Sequence, residues 1–172
     1  MRTSPPVPLS LSGEGVRKPE IGSIAPDFTL PTDAGDKLSL KSLRGKWVVL
    51  YFYPEDDTDV CTAQACSFRD AWADVKKAGI VVLGLSPDGV ASHAAFRKKY
   101  KLPFTLLADE DHAVATRYGA WGEKKLYGNT FIGMHRNAVV IGPDGKIAKH
   151  FPNVRSKGFG ARMAKAVEEL KA

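Results

Sequence analysis

The sequence predicts an α/β fold built on a mixed central sheet, and three observations predict it. Short apolar runs rich in Val, Ile and aromatic residues recur along the chain, as in 46–53 (KWVVLYFY) and 80–85 (IVVLGL). Segments with apolar residues at helical spacing lie between them. Near the end, the run AVVI at 138–141 is followed by Pro143-Asp144-Gly145 and a second strand-like stretch, which reads as a hairpin and brings antiparallel strands into the sheet.

In chain order, 30–40 reads as a small N-terminal hairpin around Asp33-Ala34-Gly35-Asp36. Residues 46–53 form a central strand buried on both faces. A helix over 62–77 carries Ala65, Phe68, Trp72 and Val75 at helical spacing, and Gly79 stops it. Strand 80–85 precedes a helix over 88–100, which carries Val90, Ala94 and Phe96 and is capped from the Pro87-Asp88 side. A short strand at 104–107, a short helix at 109–118 and the hairpin 138–141/146–151 follow. The last helix, 157–170, gathers Phe159, Met163, Ala166, Val167 and Leu170 on one face. Trp47 and Trp72 belong in or against the core, and Trp121 and Phe131 read as core packing. This order is the thioredoxin-like plan with an N-terminal β-hairpin extension. Sites in such sheets lie beyond the carboxyl ends of the strands.

The chain has 172 residues, enough for one well-buried domain, placed at 21–172. Residues 1–20, with Pro5, Pro6, Pro8 and Pro19, read as a flexible extension. They lack the apolar core and small-residue cleavage signature of a signal peptide. No run approaches the ~20 apolar residues of a membrane span, so the default location is cytoplasmic. The net charge is +6. Without a glycine-rich RNA motif, a zinc pattern or a basic helix interleaved with aromatics, it reads as a solvated basic face and not a nucleic-acid site. Such a field draws in acidic proteins. Two cysteines are too few for a disulfide scaffold, and their C-x4-C spacing is not a usual zinc pair. No metal and no cofactor are expected.

Both cysteines, Cys61 and Cys66, fall where the first buried strand gives way to a helix. In the first turn of that helix, unpaired N–H groups and the positive end of the dipole favour a thiolate, the reactive form of sulfur. Pro54 ends the strand and offers no N–H. Thr58, one turn before Cys61, supplies a hydroxyl that is either a helix cap or a polar contact for a substrate. Arg136, just before the AVVI strand, is the cation best placed to reach an adjacent strand end. Singly none of these is specific; Pro-x-x-x-Thr-x-x-Cys after a buried strand is.

The run YFYPEDDTDVCTAQACSFRD resembles the active-site segment of the peroxiredoxins. Its Cys-x4-Cys form is similar to the bacterioferritin comigratory protein or PrxQ subgroup. The resemblance runs from about Ile21 onward and takes in IGSIAPDFTL, KSLRGKWVVLYFYP and RNAVVIGPDGKI. It implies that Cys61 is the peroxidatic cysteine and Cys66 the resolving one, and that Pro54 shields the site. It also implies that Thr58, Arg136 and the backbone N–H groups of Val60 and Cys61 hold the peroxide. The implied activity is reduction of hydrogen peroxide and organic hydroperoxides by an atypical 2-Cys cycle. An intramolecular Cys61–Cys66 disulfide would be recycled by thioredoxin or a similar dithiol, and the enzyme would work as a monomer. Asp59-Val60 stands where the family usually has Pro-Gly, and Gly142 where it usually has Asp; these departures bear on rate more than on reaction class.

Residues five apart on a helix rise by about 7.5 Å, and Cα atoms beyond ~7 Å cannot be bridged by a disulfide. If both cysteines lie on one helix, that helix must unwind locally in each cycle. Two other readings use the same residues: a thiol-disulfide oxidoreductase, which normally carries C-x-x-C, and a copper-binding thioredoxin-fold protein using the cysteine pair and His135.

Overall fold

The computed structural model describes residues 19–172. The extension expected at 1–20 lies outside the described residues except for Pro19 and Glu20. The strands are β1 (Thr29–Pro31), β2 (Lys37–Ser39), β3 (Trp47–Phe52), β4 (Ile80–Ser86), β5 (Thr105–Ala108), β6 (Trp121–Leu126), β7 (Asn129–Met134), β8 (Ala138–Ile141) and β9 (Ile147–Phe151). The helices are α1 (Asp59–Asp70), α2 (Trp72–Lys77), α3 (Val90–Tyr100), α4 (Ala113–Arg117) and α5 (Phe159–Lys171). Five strands form the central sheet in the order β5-β4-β3-β8-β9, with β1-β2 and β6-β7 as separate antiparallel pairs. Strands β3, β4 and β5 run parallel; β8 pairs antiparallel with β3 and β9 with β8. This is the mixed sheet and N-terminal hairpin that the sequence predicts.

The central strand is apolar throughout because both of its faces are covered. Val49 and Tyr51 pack with Ala65 and Phe68 of α1, Val75 of α2, Phe96 of α3 and Phe159, Met163 and Val167 of α5. Val48, Leu50 and Phe52 face Val114 and Ala115 of α4, with Phe28, Leu40 and Met134. Each fully buried aliphatic or aromatic side chain contributes about 1.5–3 kcal/mol, so this strand is firmly fixed. It delivers its carboxyl end, and the turn after it, to a rigid position.

Four expectations need correction. The helix expected at 62–77 begins at Asp59 and breaks at Ala71 into α1 and α2; Phe68 and Val75 are both fully buried across the break. Gly89, not Asp88, stands at the start of α3, because the Asp88 carboxylate accepts from the Asp56 backbone N–H and the Ser86 hydroxyl instead. The helix expected at 109–118 shrinks to α4, because the Asp109 carboxylate takes the N–H groups of Val114 and Ala115 and holds the residues before them as a turn. The hairpin β6-β7 has no counterpart in the sequence reading. Its Lys124, Lys125, Gly122 and Gly133 break the alternation that marks a half-buried strand. Phe131 on it is 44% exposed and is not core. Trp121 is half-buried, packed against the second core cluster and stacked on His112.

Candidate active site

Thr58 is in extended conformation just before α1, and the first bond of the helix runs from Thr62 N–H to Thr58 O. The N–H groups of Asp59, Val60 and Cys61 precede that bond, so they are the free donors of a helix start. Cys61 is the third residue of α1, and its side chain turns inward to near-complete burial. Asp59 and Val60 point outward, which is why the charge and bulk read as departures sit in solvent. Pro54 and Thr58 are half-buried. The Thr58 hydroxyl makes no cap; it donates to Glu55 O at 3.1 Å.

Arg136 reaches the sulfur from the far side of β3. Its Nη1 lies 3.2 Å from Cys61 Sγ and also donates to Gln64 Oε1 at 3.3 Å. Register explains the reach: β8 is the antiparallel neighbour of β3, with Tyr51 opposite Ala138, so the residues before Ala138 lie beside the carboxyl end of β3. A guanidinium against a sulfur in a buried setting is an arrangement that holds negative charge there. Gln64 escaped the sequence reading. It lies three residues after Cys61 on the same helix face, and that spacing was the available signal. Its carboxamide oxygen faces Arg136, which leaves Nε2 buried without an acceptor.

A second group missed in the sequence braces the loop that carries Pro54 and Thr58. Asp56 is buried and accepts from Tyr53 OH (2.6 Å) and Ser92 Oγ (2.8 Å). His93 Nδ1 lies 2.7 Å from Asp56 Oδ2, and His93 Nε2 lies 2.9 Å from Leu107 O. A carbonyl only accepts, so Nε2 carries a hydrogen and donates; a further proton lies between Nδ1 and the carboxylate. Burial, then the Tyr51 and Asp56 charges, push the Tyr53 phenol well above its ordinary range, so it stays a donor to Asp56. The adjacent Asp57 has a left-handed backbone (φ 60) and is held by Lys99 Nζ and Tyr100 OH, which lower its carboxyl. His93 occupies an inward position of α3.

Cys66 is half-buried on the same intact helix as Cys61, and both thiols are free. Burial raises the Cys66 thiol above the ordinary cysteine range, with Arg69 opposing and Asp70 adding. Among the described residues, the one group of three side chains close enough to share an ion is Asp56, Asp88 and His93. It contains neither cysteine, and His135 instead bonds Glu123 O at 3.0 Å. A copper site on Cys61, Cys66 and His135 is therefore not assembled.

The AhpC/TSA family model matches residues 21–150. A putative peroxiredoxin of Coxiella burnetii is 49% identical over 144 residues, covering 84% of this chain and 95% of that protein. The chain belongs to the peroxiredoxins. Peroxiredoxin Bcp of Escherichia coli is 44% identical over 135 residues, 78% of this chain and 86% of its own length. Two solved structures of the Xanthomonas campestris protein, described as peroxiredoxin Q and as bacterioferritin comigratory protein, superpose with TM-scores of 0.81 and 0.82. They are 30% and 28% identical and cover 88% and 90% of this chain and 96% and 98% of theirs. The second is described in connection with alkyl peroxide reduction by that protein. Within the family, this peroxiredoxin falls in the Bcp/PrxQ subfamily and is a thiol-dependent peroxidase that reduces peroxides. The oxidoreductase reading without peroxide gives way to this one. No helix among the described residues is long and apolar enough to cross a membrane.

Proposed function

We propose that Cys61 is the peroxidatic cysteine, acting on hydrogen peroxide and organic hydroperoxides, and that Cys66 resolves its sulfenic acid within the same chain. The contact of Arg136 Nη1 with Cys61 Sγ carries this reading. In the first step the Cys61 thiolate attacks the terminal peroxide oxygen. The O–O bond breaks, the sulfur is oxidised to sulfenic acid, and the departing oxygen takes a proton to leave as alcohol or water. Arg136, the Thr58 hydroxyl and the N–H groups of Val60 and Cys61 bind the peroxide and stabilise charge on the leaving oxygen. Pro54 keeps water from the sulfur. In the second step Cys66 attacks the Cys61 sulfur, forming the disulfide and releasing water. A thioredoxin-type dithiol then reduces the bridge by two exchanges and is itself oxidised.

The second step requires movement. With both cysteines on α1 and about 7.5 Å of rise between them, the bridge forms only when the helix opens between Thr58 and Cys66. Because both cysteines belong to one chain, the cycle needs no second subunit, and the working form is a monomer. The catalytic unit spans 21–172, and cytoplasmic residence follows from its dependence on a reducing dithiol pool.

Stopped-flow mixing with hydrogen peroxide and with tert-butyl hydroperoxide tests the assignment. Cys61→Ser should lose peroxide consumption by more than about a thousandfold. Cys66→Ser should keep the first oxidation and accumulate sulfenic acid. Sulfenic acid appearing on Cys66 in the Cys61→Ser protein would reverse the two roles.

A further inference from the structure

Exposed large apolar side chains are concentrated on one element of this peroxiredoxin. Leu126 (55%), Tyr127 (94%), Phe131 and Ile132 (60%) all belong to the β6-β7 hairpin. The hairpin is not paired with either edge strand of the central sheet. Its base is nevertheless fixed: Met134 is buried, Trp121 stacks on His112 with centroids 3.7 Å apart, and Lys124 Nζ donates to Met134 O at 2.7 Å. The projecting part carries its apolar residues in water.

Tyr127 sharpens the point. It and Gly128 form the two-residue turn, both with positive φ (51 and 81). That turn favours Asn-Gly or Asp-Gly, and a bulky ring in the left-handed region is strained. With its ring in solvent, Tyr127 gains little inside the molecule to offset that strain. A contact made outside the molecule would.

The base of the hairpin adjoins the site. The chain passes from Met134 through His135 to Arg136, and Lys124 is near enough to Arg136 and the Cys61 sulfur to feel both charges. Lys124 and Lys125 outweigh Glu123 and leave the hairpin net positive, beside Arg136 and on a chain of net charge +6. A second copy would bring the same positive field, which opposes self-docking. An acidic protein would be drawn in. The proposed cycle calls for a macromolecule to visit this site: the dithiol that reduces the Cys61–Cys66 bridge.

We propose that the β6-β7 hairpin is the docking platform for that reductant, an acidic dithiol protein with an apolar surface beside its thiols. The inference rests on the recycling step proposed above. It assigns Leu126 and Phe131 on one face of the ribbon, Ile132 on the other and Tyr127 at the turn to apolar contact with a partner that straddles the hairpin, and Lys125, beside Ile132, to charge complementarity. The platform lies outside α1, so it persists when α1 opens to form the disulfide.

Steady-state turnover with an acidic thioredoxin and, separately, with dithiothreitol tests the proposal on Tyr127→Asn, Ile132→Asp and Lys125→Glu. Each should raise KM for thioredoxin about tenfold or more, while turnover with dithiothreitol and the rate of peroxide oxidation stay unchanged. Tyr127→Asn is also expected to keep or raise thermal stability, since Asn accepts the left-handed turn; this separates docking from folding. An unchanged KM for thioredoxin in Tyr127→Asn and Ile132→Asp overturns the platform alone. Turnover of the parent with dithiothreitol but with no protein dithiol overturns both the platform and the recycling step. A parent that sediments as a dimer dissociated by Ile132→Asp would assign the hairpin to self-association. Sedimentation with phosphatidylglycerol vesicles, with an unchanged thioredoxin KM in the variants, would assign it to a membrane surface; either result overturns the proposal.

Discussion

The loop before Cys61 and the helix after it are neighbours in sequence and opposites in construction. Residues 53–57 are tied by side chains to a different element: Asp56 to Ser92 and His93, its backbone N–H to Asp88, and Asp57 to Lys99 and Tyr100. From Asp59 to Cys66, the helix is held by its own backbone bonds, by Arg136 and by the burial of Cys61, Gln64 and Ala65. Beyond Cys66 the bracing returns: Gly160 N–H donates to Ser67 Oγ at 2.9 Å, and Phe68 packs edge-on against Phe159 with centroids 5.1 Å apart. A segment free to open thus lies between two anchors. The proposed cycle asks for that division, because Pro54 and Thr58 must stay in place for the next peroxide while Cys61 travels to Cys66. Local opening follows the distribution of cross-links, not sequence proximity to the site.

Breaking the first anchor should have the largest effect. In His93→Leu the buried Asp56 keeps Tyr53 and Ser92 but loses the imidazole, and breaking a buried pair of this kind costs up to about 3–5 kcal/mol. Urea denaturation should show that loss. The double variant His93→Leu/Asp56→Leu, which removes both members of the pair, should recover part of it. An equal loss in both would show that the pair is no brace.

Arg136 joins the fixed part to the moving part: it stands just before β8, where its carbonyl accepts from Val154 N–H, and it touches Cys61 and Gln64 on α1. Arg136→Ala should lower kcat/KM for peroxide about a hundredfold, the usual effect of removing one donor to developing negative charge. It should also ease opening, seen as faster amide exchange at Cys61 to Cys66. Loss of activity without faster exchange would confine Arg136 to chemistry. The second anchor is tested at Gly160, where an added Cβ would stand 2.5 Å from Ser67 O and 2.6 Å from Phe68 Cα. Gly160→Ala should push α5 off α1 at a cost of about 1–3 kcal/mol and let exchange spread past Phe68. Exchange that still stops at Cys66 would mean that this contact is not the boundary.

The fold was legible because its strongest signals are local. The run 47–52 is apolar at every position, and a strand of that kind is buried on both faces. That Cys61 stands in the first turn of a helix with Arg136 beside it was legible, because the strand-turn-helix order around Cys61 and the place of Arg136 just before a sheet strand are local signals. The brace was not, since its members come from α3, β5 and the loop, and a lone His at a core position of a helix carries no mark of its partner. The β6-β7 hairpin was not legible for a different reason. Burial writes periodicity into a sequence, and a ribbon open to solvent on both faces has little of it.

The last effect expected is a pH dependence of the resolving step. Burial on α1 holds the Cys66 thiol above the ordinary range, and opening the helix releases it toward the free value near ~8.5. The wound helix therefore binds the Cys66 proton more tightly than the open one. Below the free value both forms are protonated and the helix keeps its full stability. As pH rises from there through the raised value, the open form loses its proton first, so winding is progressively disfavoured. Opening and thiolate formation on Cys66 then favour each other, and disulfide formation should accelerate about tenfold per pH unit at most until the free thiol has titrated. Quenched-flow trapping of sulfenic acid and disulfide between pH 6 and 10 would measure it. A resolving rate that stays flat across the free thiol range would mean that the helix opens at a rate independent of Cys66, with opening and not thiol chemistry limiting the step.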